Sequence, residues 1–338
     1  MSFVRARASV GGLSDQAIEY SADARSASQQ PELMLGIRSI AKRGWNHGVF
    51  SLRRNPLPIE LDTAGRLGLF AVLTWCVLLA RSCSSRGISP FFVLSRKSPY
   101  SSPDYDCLRD TFHQKQQLPY RSLCSLRLRD LSDFPIPLDF QNFTFEQAHF
   151  LFFKHFSIPA TISTQAASVI AHNTDGQYLA IHYRGTDKVS EGTQVQPMAF
   201  LDLFRQEVEA RYPKVRTVFI ATDVPDFLAT AHEKLRGFRV FSNNDQVKAD
   251  GHSPIHFSSL ARNVPRALAE DALINVLVLA RAQLLVKTPS ILSGWAKVFN
   301  PKLDALLIGD LSPHAAWFPD SLLQKFRSPR SPDIVSSS

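Results

Sequence analysis

The stretch YLAIHYRGTDK, Tyr178–Lys188, decides how this chain is read. Tyr178 to His182 form an apolar, strand-like run, and His182, Arg184, Thr186, Asp187 and Lys188 then crowd together just beyond it. A near-continuous apolar run that stops in a burst of polarity suits a strand of a parallel sheet with helices on both faces. The pattern repeats downstream. The spacing of Phe200, Leu203, Phe204 and Val208 predicts a helix over Pro197–Tyr212. A strand (Arg216–Ala221), a helix (Pro225–Leu235), a strand (Phe238–Phe241), a helix (Arg266–Arg281), a strand (Gln283–Val286) and a helix from about Ser290 follow. Alternation of this kind defines a Rossmann-like half, whose ligands bind outside the carboxyl ends of the strands.

The first half carries the same vocabulary less plainly. DTAGRLGLF places two glycines before an apolar run, and GISPFFVLS, Gly87–Ser95, reads as a strand. Residues 1–55, rich in Ser, Ala, Arg and Gln, read as a variable or poorly ordered extension. The expected organisation is α/β, with one Rossmann-like unit over 56–165, a second over 166–312 and a tail over 313–338. SRKSPYSSPDYD reads as a loop, and so does Ser242–Pro265, with His252 and His256. The aromatic cluster Phe143, Phe145, Phe150, Phe152, Phe153 and Phe156 reads as domain core in preference to an acceptor-lining surface.

Composition narrows the function classes. With 338 residues, of which 44% are hydrophobic, the chain can build sizeable cores, which excludes a disordered or collagenous protein. Residues 1–130 hold 18 Lys/Arg against 10 Asp/Glu, out of 38 and 30 in the whole chain, so the net charge of +8 arises entirely there. Such a region attracts polyanions, and peripheral membrane contact is one reading of it. The basic residues are scattered and not interleaved with stacking aromatics, which argues against nucleic-acid binding. Cys76, Cys83, Cys107 and Cys124 show no CxxC spacing, so neither a zinc site nor a disulfide framework is expected, and a reducing, cytoplasmic compartment is the simpler reading. Leu67–Ala80 is apolar, but its fourteen residues would span only about 21 Å as a helix, against roughly 30 Å of bilayer core. It reads as a buried helix and not as a transmembrane one.

Four strand ends supply polar groups to one rim: the cluster after His182, Thr222-Asp223, Ser242 to Asp245, and Lys287-Thr288-Pro289-Ser290. Guanidinium, hydroxyl and helix N-terminal N–H groups suit phosphate oxygens, and carboxylates suit sugar hydroxyls, so the rim fits a sugar nucleotide. Each residue also has a plain structural reading. His182 can be a satisfied sheet-edge histidine, Asp187 and Lys188 a surface ion pair, Asp223 a helix N-terminal acid and Ser290 a helix cap.

IHYRGTDK resembles the H-x-R-x-T-D-K signature of the α1,6-fucosyltransferases, the group that includes nodulation fucosyltransferases and enzymes that modify the N-glycan core. FIATD is similar to the same family's strand ending in Thr-Asp, and ALINVLVLARAQLLVKTPS to its helix–strand–Thr-x-Ser block. The resemblance covers about Tyr178 to Phe299, and AGRLGLF resembles the glycine turn that opens the N-terminal domain in several fucosyltransferase families.

What the resemblance implies is a GT-B-like fold, two Rossmann-like domains facing across a cleft. It also implies GDP-fucose as donor substrate, no cofactor, no obligatory metal, and a glycan or glycoprotein acceptor. It gives Arg184 the donor pyrophosphate and His182 the nucleotide, with Asp187 and Lys188 orienting fucose and neutralising phosphate. Thr288 and Ser290 would bond the phosphate and Asp223 would lie near the donor, while Glu191 is a further match. Candidate catalytic residues are therefore Arg184, Asp187, Lys188 and Glu191. The sequence departs from the family at Gly185, where a second basic residue is common, and at Asn275, where an aspartate is usual for nucleotide contact. A transferase using another nucleotide sugar, and a catalytically silent sugar-nucleotide or glycan-binding protein, are the alternative readings.

Overall fold

The computed structural model describes residues 56–63, 67–116, 125–135, 138, 143–185, 195–243, 264–311 and 318–325. All of them belong to one compact unit, Asn46–Ser338. The expected extension over 1–55 and the histidines His252 and His256 lie outside the described residues.

Two parallel sheets organise the unit. The first has the order β2-β1-β5, from β1 (Leu57–Leu61), β2 (Pro90–Leu94) and β5 (Leu126–Leu128), and α1 (Leu69–Ser84) connects β1 to β2. The second has six strands in the order β11-β10-β9-β6-β7-β8. These are β6 (Leu179–Tyr183), β7 (Thr217–Thr222), β8 (Arg239–Phe241), β9 (Leu284–Lys287), β10 (Asp304–Leu307) and β11 (Gln324–Lys325), all paired in parallel. The α/β architecture with two parallel sheets is thus the one expected, and each strand expected after Tyr178 is present within two residues of its expected limits.

Parallel pairing places helices on both faces of the larger sheet, and alternate residues of each strand serve opposite cores. Ile181, Tyr183, Val218 and Ile220 pack with Phe200, Phe204 and Phe227 of α5 (Pro197–Arg211) and α6 (Pro225–Lys234). Ala180, Phe219 and Leu285 join the other core, which α7 (Pro265–Ala280) and α8 (Ile291–Phe299) share with α1 and with α3 (Phe145–His155). Helices α5, α6 and α7 each open with a proline in the first turn, where the missing N–H costs no hydrogen bond.

Helix α1 is buried almost all round, from Leu69 to Cys83, as an apolar helix without a polar face must be. It carries most of the apolar run Leu67–Ala80, which reads as a buried helix, and no helix among the described residues is long and apolar enough to cross a membrane. Its Thr74 Oγ1 accepts the indole N–H of Trp295 from α8 at 2.9 Å, so the two halves share a core. The aromatic cluster is mostly core: Phe143, Phe145, Phe152 and Phe156 are buried, with the Phe152 ring 5.7 Å from Trp295 and 5.2 Å from Phe299. Phe150 is the exception at 65% exposure.

The structure adds order in two places read as irregular. SRKSPYSSPDYD contains a hairpin of β3 (Ser101–Ser102) and β4 (Tyr105–Asp106), leading into the short α2 (Cys107–Asp110), whose cap is the Asp106 side chain on the Leu108 N–H. Within the stretch read as a tail, residues 318–325 form a 3-10 turn, Asp320–Leu322, and β11 on the edge of the larger sheet. The junction between residues 165 and 166 lies inside α4 (Ala160–Asn173). Cys76, Cys83 and Cys107 are free and buried, and burial pushes the Cys83 thiol up to about 12. Cys124 lies outside the described residues.

Candidate functional site

The carboxyl ends of β6, β7 and β9 lie side by side, with His182 paired to Ala221 on one side and to Lys287 on the other. His182 is buried, and its Nδ1 has no hydrogen-bond partner among the described residues. Burial, then the charges of Lys287 and Arg184, push its pKa well below the usual histidine range. The imidazole is therefore neutral at physiological pH, able to donate from one ring nitrogen and accept at the other.

Two residues on, the chain leaves the sheet and is held from both sides. The Arg184 N–H donates to Thr288 Oγ1 at 2.9 Å, and the Thr288 N–H donates to the His182 carbonyl at 3.1 Å. From the β7 side, Asp223 Oδ2 lies 3.7 Å from Arg184 Nε, and Asp223 Oδ1 accepts from the Gly185 N–H at 3.4 Å. The Arg184 side chain is 20% exposed, so its guanidinium is largely enclosed and still reachable. At residue 185, a β-carbon would stand 3.0 Å from Val224 Cγ2 and 3.2 Å from Tyr183 Cε1. Those neighbours would have to give way to any larger residue, which is a local reason for a glycine at this position.

Tyr183 fixes the base of the following segment. Its ring stacks on Phe227 at 4.0 Å, and its hydroxyl donates to the Val195 carbonyl at 2.8 Å. Between them, Asp187, Lys188 and Glu191, with Thr186, lie outside the described residues.

The β9–α8 turn is buried. Thr288 is 4% and Ser290 2% exposed, and Ser290 occupies the N-cap position of α8. Its hydroxyl makes no capping bond and has no partner among the described residues. Its N–H instead meets Asp320 Oδ2 at 2.6 Å. Asn275 is buried on α7, with its Nδ2 on the Asp271 carbonyl at 3.0 Å and its Oδ1 without a partner among the described residues. Asn243, at the end of β8, donates to Asp271 Oδ1 at 3.0 Å. A carboxylate thus stands one helical turn before Asn275.

Two residues join the site that nothing in their local sequence marks, Tyr100 and Asp320. Tyr100, in the stretch that reads as a loop, is buried near the start of α1, whose Leu69 N–H favours its ionised form. Burial raises its pKa, and the nearby Arg184 charge opposes that rise, so Arg184 lies within electrostatic reach of the start of α1. Asp320 and Lys287 form a wholly buried ion pair, Nζ to Oδ1 at 2.7 Å. Among the described residues, no group of three His, Cys, Asp or Glu side chains could hold a metal ion.

No family model and no curated protein matches the chain. Solved structures with a similar course of the backbone include NodZ α-1,6-fucosyltransferase soaked with GDP-fucose, at TM-score 0.48 and 15% identity, covering 73% of this chain and 94% of that one. Fucosyltransferase NodZ from Bradyrhizobium has a TM-score of 0.45 at 16% identity, with 72% and 92% covered. POFUT1 in complex with GDP has a TM-score of 0.45 at 10% identity, with 75% and 98% covered.

Proposed function

We propose that this protein is a glycosyltransferase that moves L-fucose from GDP-fucose to a hydroxyl of a glycan or protein, with inversion at the anomeric carbon. One observation carries the reading. The three sequence blocks that resemble the α1,6-fucosyltransferases are separated by up to about a hundred residues, yet Arg184, Asp223 and Thr288, one from each, meet within hydrogen-bond or ion-pair distance. Neighbouring parallel strands bring their ends together in any such sheet; what supports the reading is that Thr288 and Asp223 hold Arg184 from both sides while its guanidinium stays reachable.

The proposed chemistry follows from charge. Departure of the sugar as an oxocarbenium-like species leaves negative charge growing on the β-phosphate, and preorganised cations there stabilise that state more than the ground state. Arg184 is held for this role by Thr288 and Asp223, and Lys188 is the second cation. His182, neutral and short of one hydrogen bond, would contact the nucleotide. Asp187 or Glu191 would take the proton of the acceptor hydroxyl, unless the departing phosphate takes it.

Isothermal titration calorimetry of GDP-fucose, GDP and a UDP-sugar, without added metal, tests the reading on the wild type and on Arg184→Ala. GDP-selective binding that the variant loses supports it. Binding without guanine selectivity, or indifferent to Arg184, would overturn it.

A further inference from the structure

The geometry points to Asp320 as a positioning residue that sets the β9–α8 turn and, through Thr288, the backbone of Arg184. Nothing in its local sequence marks it: it sits thirty residues beyond the turn, in a stretch of the chain that reads as a tail. In the fold its carboxylate is 3% exposed and has one oxygen on Lys287 Nζ at 2.7 Å and the other on the Ser290 N–H at 2.6 Å. Lys287 and Ser290 bracket Thr288, whose own two backbone and side-chain bonds run to His182 and Arg184. One carboxylate therefore clamps both ends of the turn, and the residue between them holds Arg184.

The clamp is itself held in place. Phe318 packs on Phe143 at 4.7 Å and Phe145 at 5.8 Å, next to the start of α3, and Leu323 is buried. Against α8 the approach is so close that a β-carbon on Gly294 would stand 2.4 Å from Pro319 Cγ and 2.5 Å from Asp320 Oδ1. Only glycine admits the strap at this distance. The lysine has a matching explanation. A carboxylate taken wholly out of water needs a counter-charge as well as N–H donors, and Lys287 supplies it from the last position of β9. If the pair served stability alone, apolar residues of similar volume would do as well.

The inference rests on the donor reading for its consequence in binding, and its structural part does not. The test compares the double variants Lys287→Met/Asp320→Leu, which replaces the pair with apolar groups, and Lys287→Met/Asp320→Asn, which restores an acceptor for the Ser290 N–H without charge. Amide hydrogen exchange of the unliganded full chain is the first readout. The Leu double variant should speed exchange at Arg184 at least tenfold through the loosened Thr288, and the Asn double variant should recover most of the protection. The second readout is GDP affinity by calorimetry, which should fall at least tenfold in the Leu variant and largely return in the Asn variant.

A folded Leu double variant with wild-type exchange at Arg184, or with GDP affinity within threefold of wild type, would overturn the inference. Should that variant not fold, Gly294→Ala carries the same test, because it displaces the strap while raising the helix propensity of α8. Wild-type protein that binds no GDP, together with an Arg184 amide that responds to the clamp, would sink the donor reading and leave the positioning role standing.

Discussion

The backbone N–H of Arg184 and the hydroxyl of Thr288 meet at 2.9 Å across the ends of two neighbouring strands, 104 residues apart in the chain. Thr288 is buried, so this hydroxyl is the means by which the turn after β9 decides where the guanidinium begins. Thr288→Val keeps the shape and removes the acceptor, stranding a largely buried N–H at a cost of about 1–3 kcal/mol. We expect GDP-fucose affinity to fall roughly tenfold, with Thr288→Ser close to wild type. Calorimetry on both variants, beside thermal melts to confirm folding, checks this; equal affinities in Val and Ser would exclude the hydroxyl as the anchor.

A second hydroxyl has the same function for the core. Thr74 Oγ1 accepts from the Trp295 indole at 2.9 Å and donates to the Phe70 carbonyl at 2.8 Å, with both side chains buried. Thr74→Val leaves the indole N–H without its acceptor inside an aromatic cluster where no water competes. Destabilisation of about 1–3 kcal/mol is expected. Urea unfolding should show a lower midpoint with an unchanged slope, since the surface exposed on unfolding is the same.

How much of this was legible depended on strand length and burial. The second half could be read because its strands are buried on both faces and therefore apolar throughout, as in Leu179–Tyr183. In the first half β1 carries Glu60 and the three-residue β5 carries Arg127, which pair with each other at 2.9 Å at the surface and break the apolar run. Helix α3 is announced by its own sequence: Thr144 and Gln147 form a capping box, with the T-x-x-Q spacing that marks one. In the site, Arg184, Asp223 and Thr288 could be found because each follows a recognisable strand. Tyr100 and Asp320 could not, since one comes from the turn before a short hairpin and the other from the chain's last described segment, and only tertiary packing brings them near.

Asp223 offers a sharper test of the rim than Arg184 itself. Its carboxylate faces both Arg184 Nε and the Gly185 N–H, so it orients the start of the segment that carries Asp187 and Lys188. The pair is partly exposed, and the ion pair alone is worth little to stability. Asp223→Ala should therefore leave the melting temperature nearly unchanged while weakening GDP-fucose binding about tenfold, and Asp223→Asn should fall between. A large loss of stability without loss of binding would assign Asp223 to the fold and not to the ligand.

The acid side of the stability profile should be set in part by two buried histidines. His155, at the last residue of α3, is 2% exposed, and its Nε2 has no partner among the described residues. Burial, followed by the charges of Lys154 and Lys115, pushes its pKa down to about 4, and His182 is lowered in the same direction. The unfolded chain takes up protons near pH 6.5, where the folded one does not, so the unfolded state binds more protons and stability rises with pH across this interval. Stability should thus be intact above about pH 6.5 and decline steadily toward pH 4. His155→Leu removes one of the two groups and should flatten that decline, raising the urea midpoint at pH 5 relative to wild type more than at pH 8. Parallel profiles for the two proteins between pH 4 and 6.5 would show that His155 is not a buried neutral base.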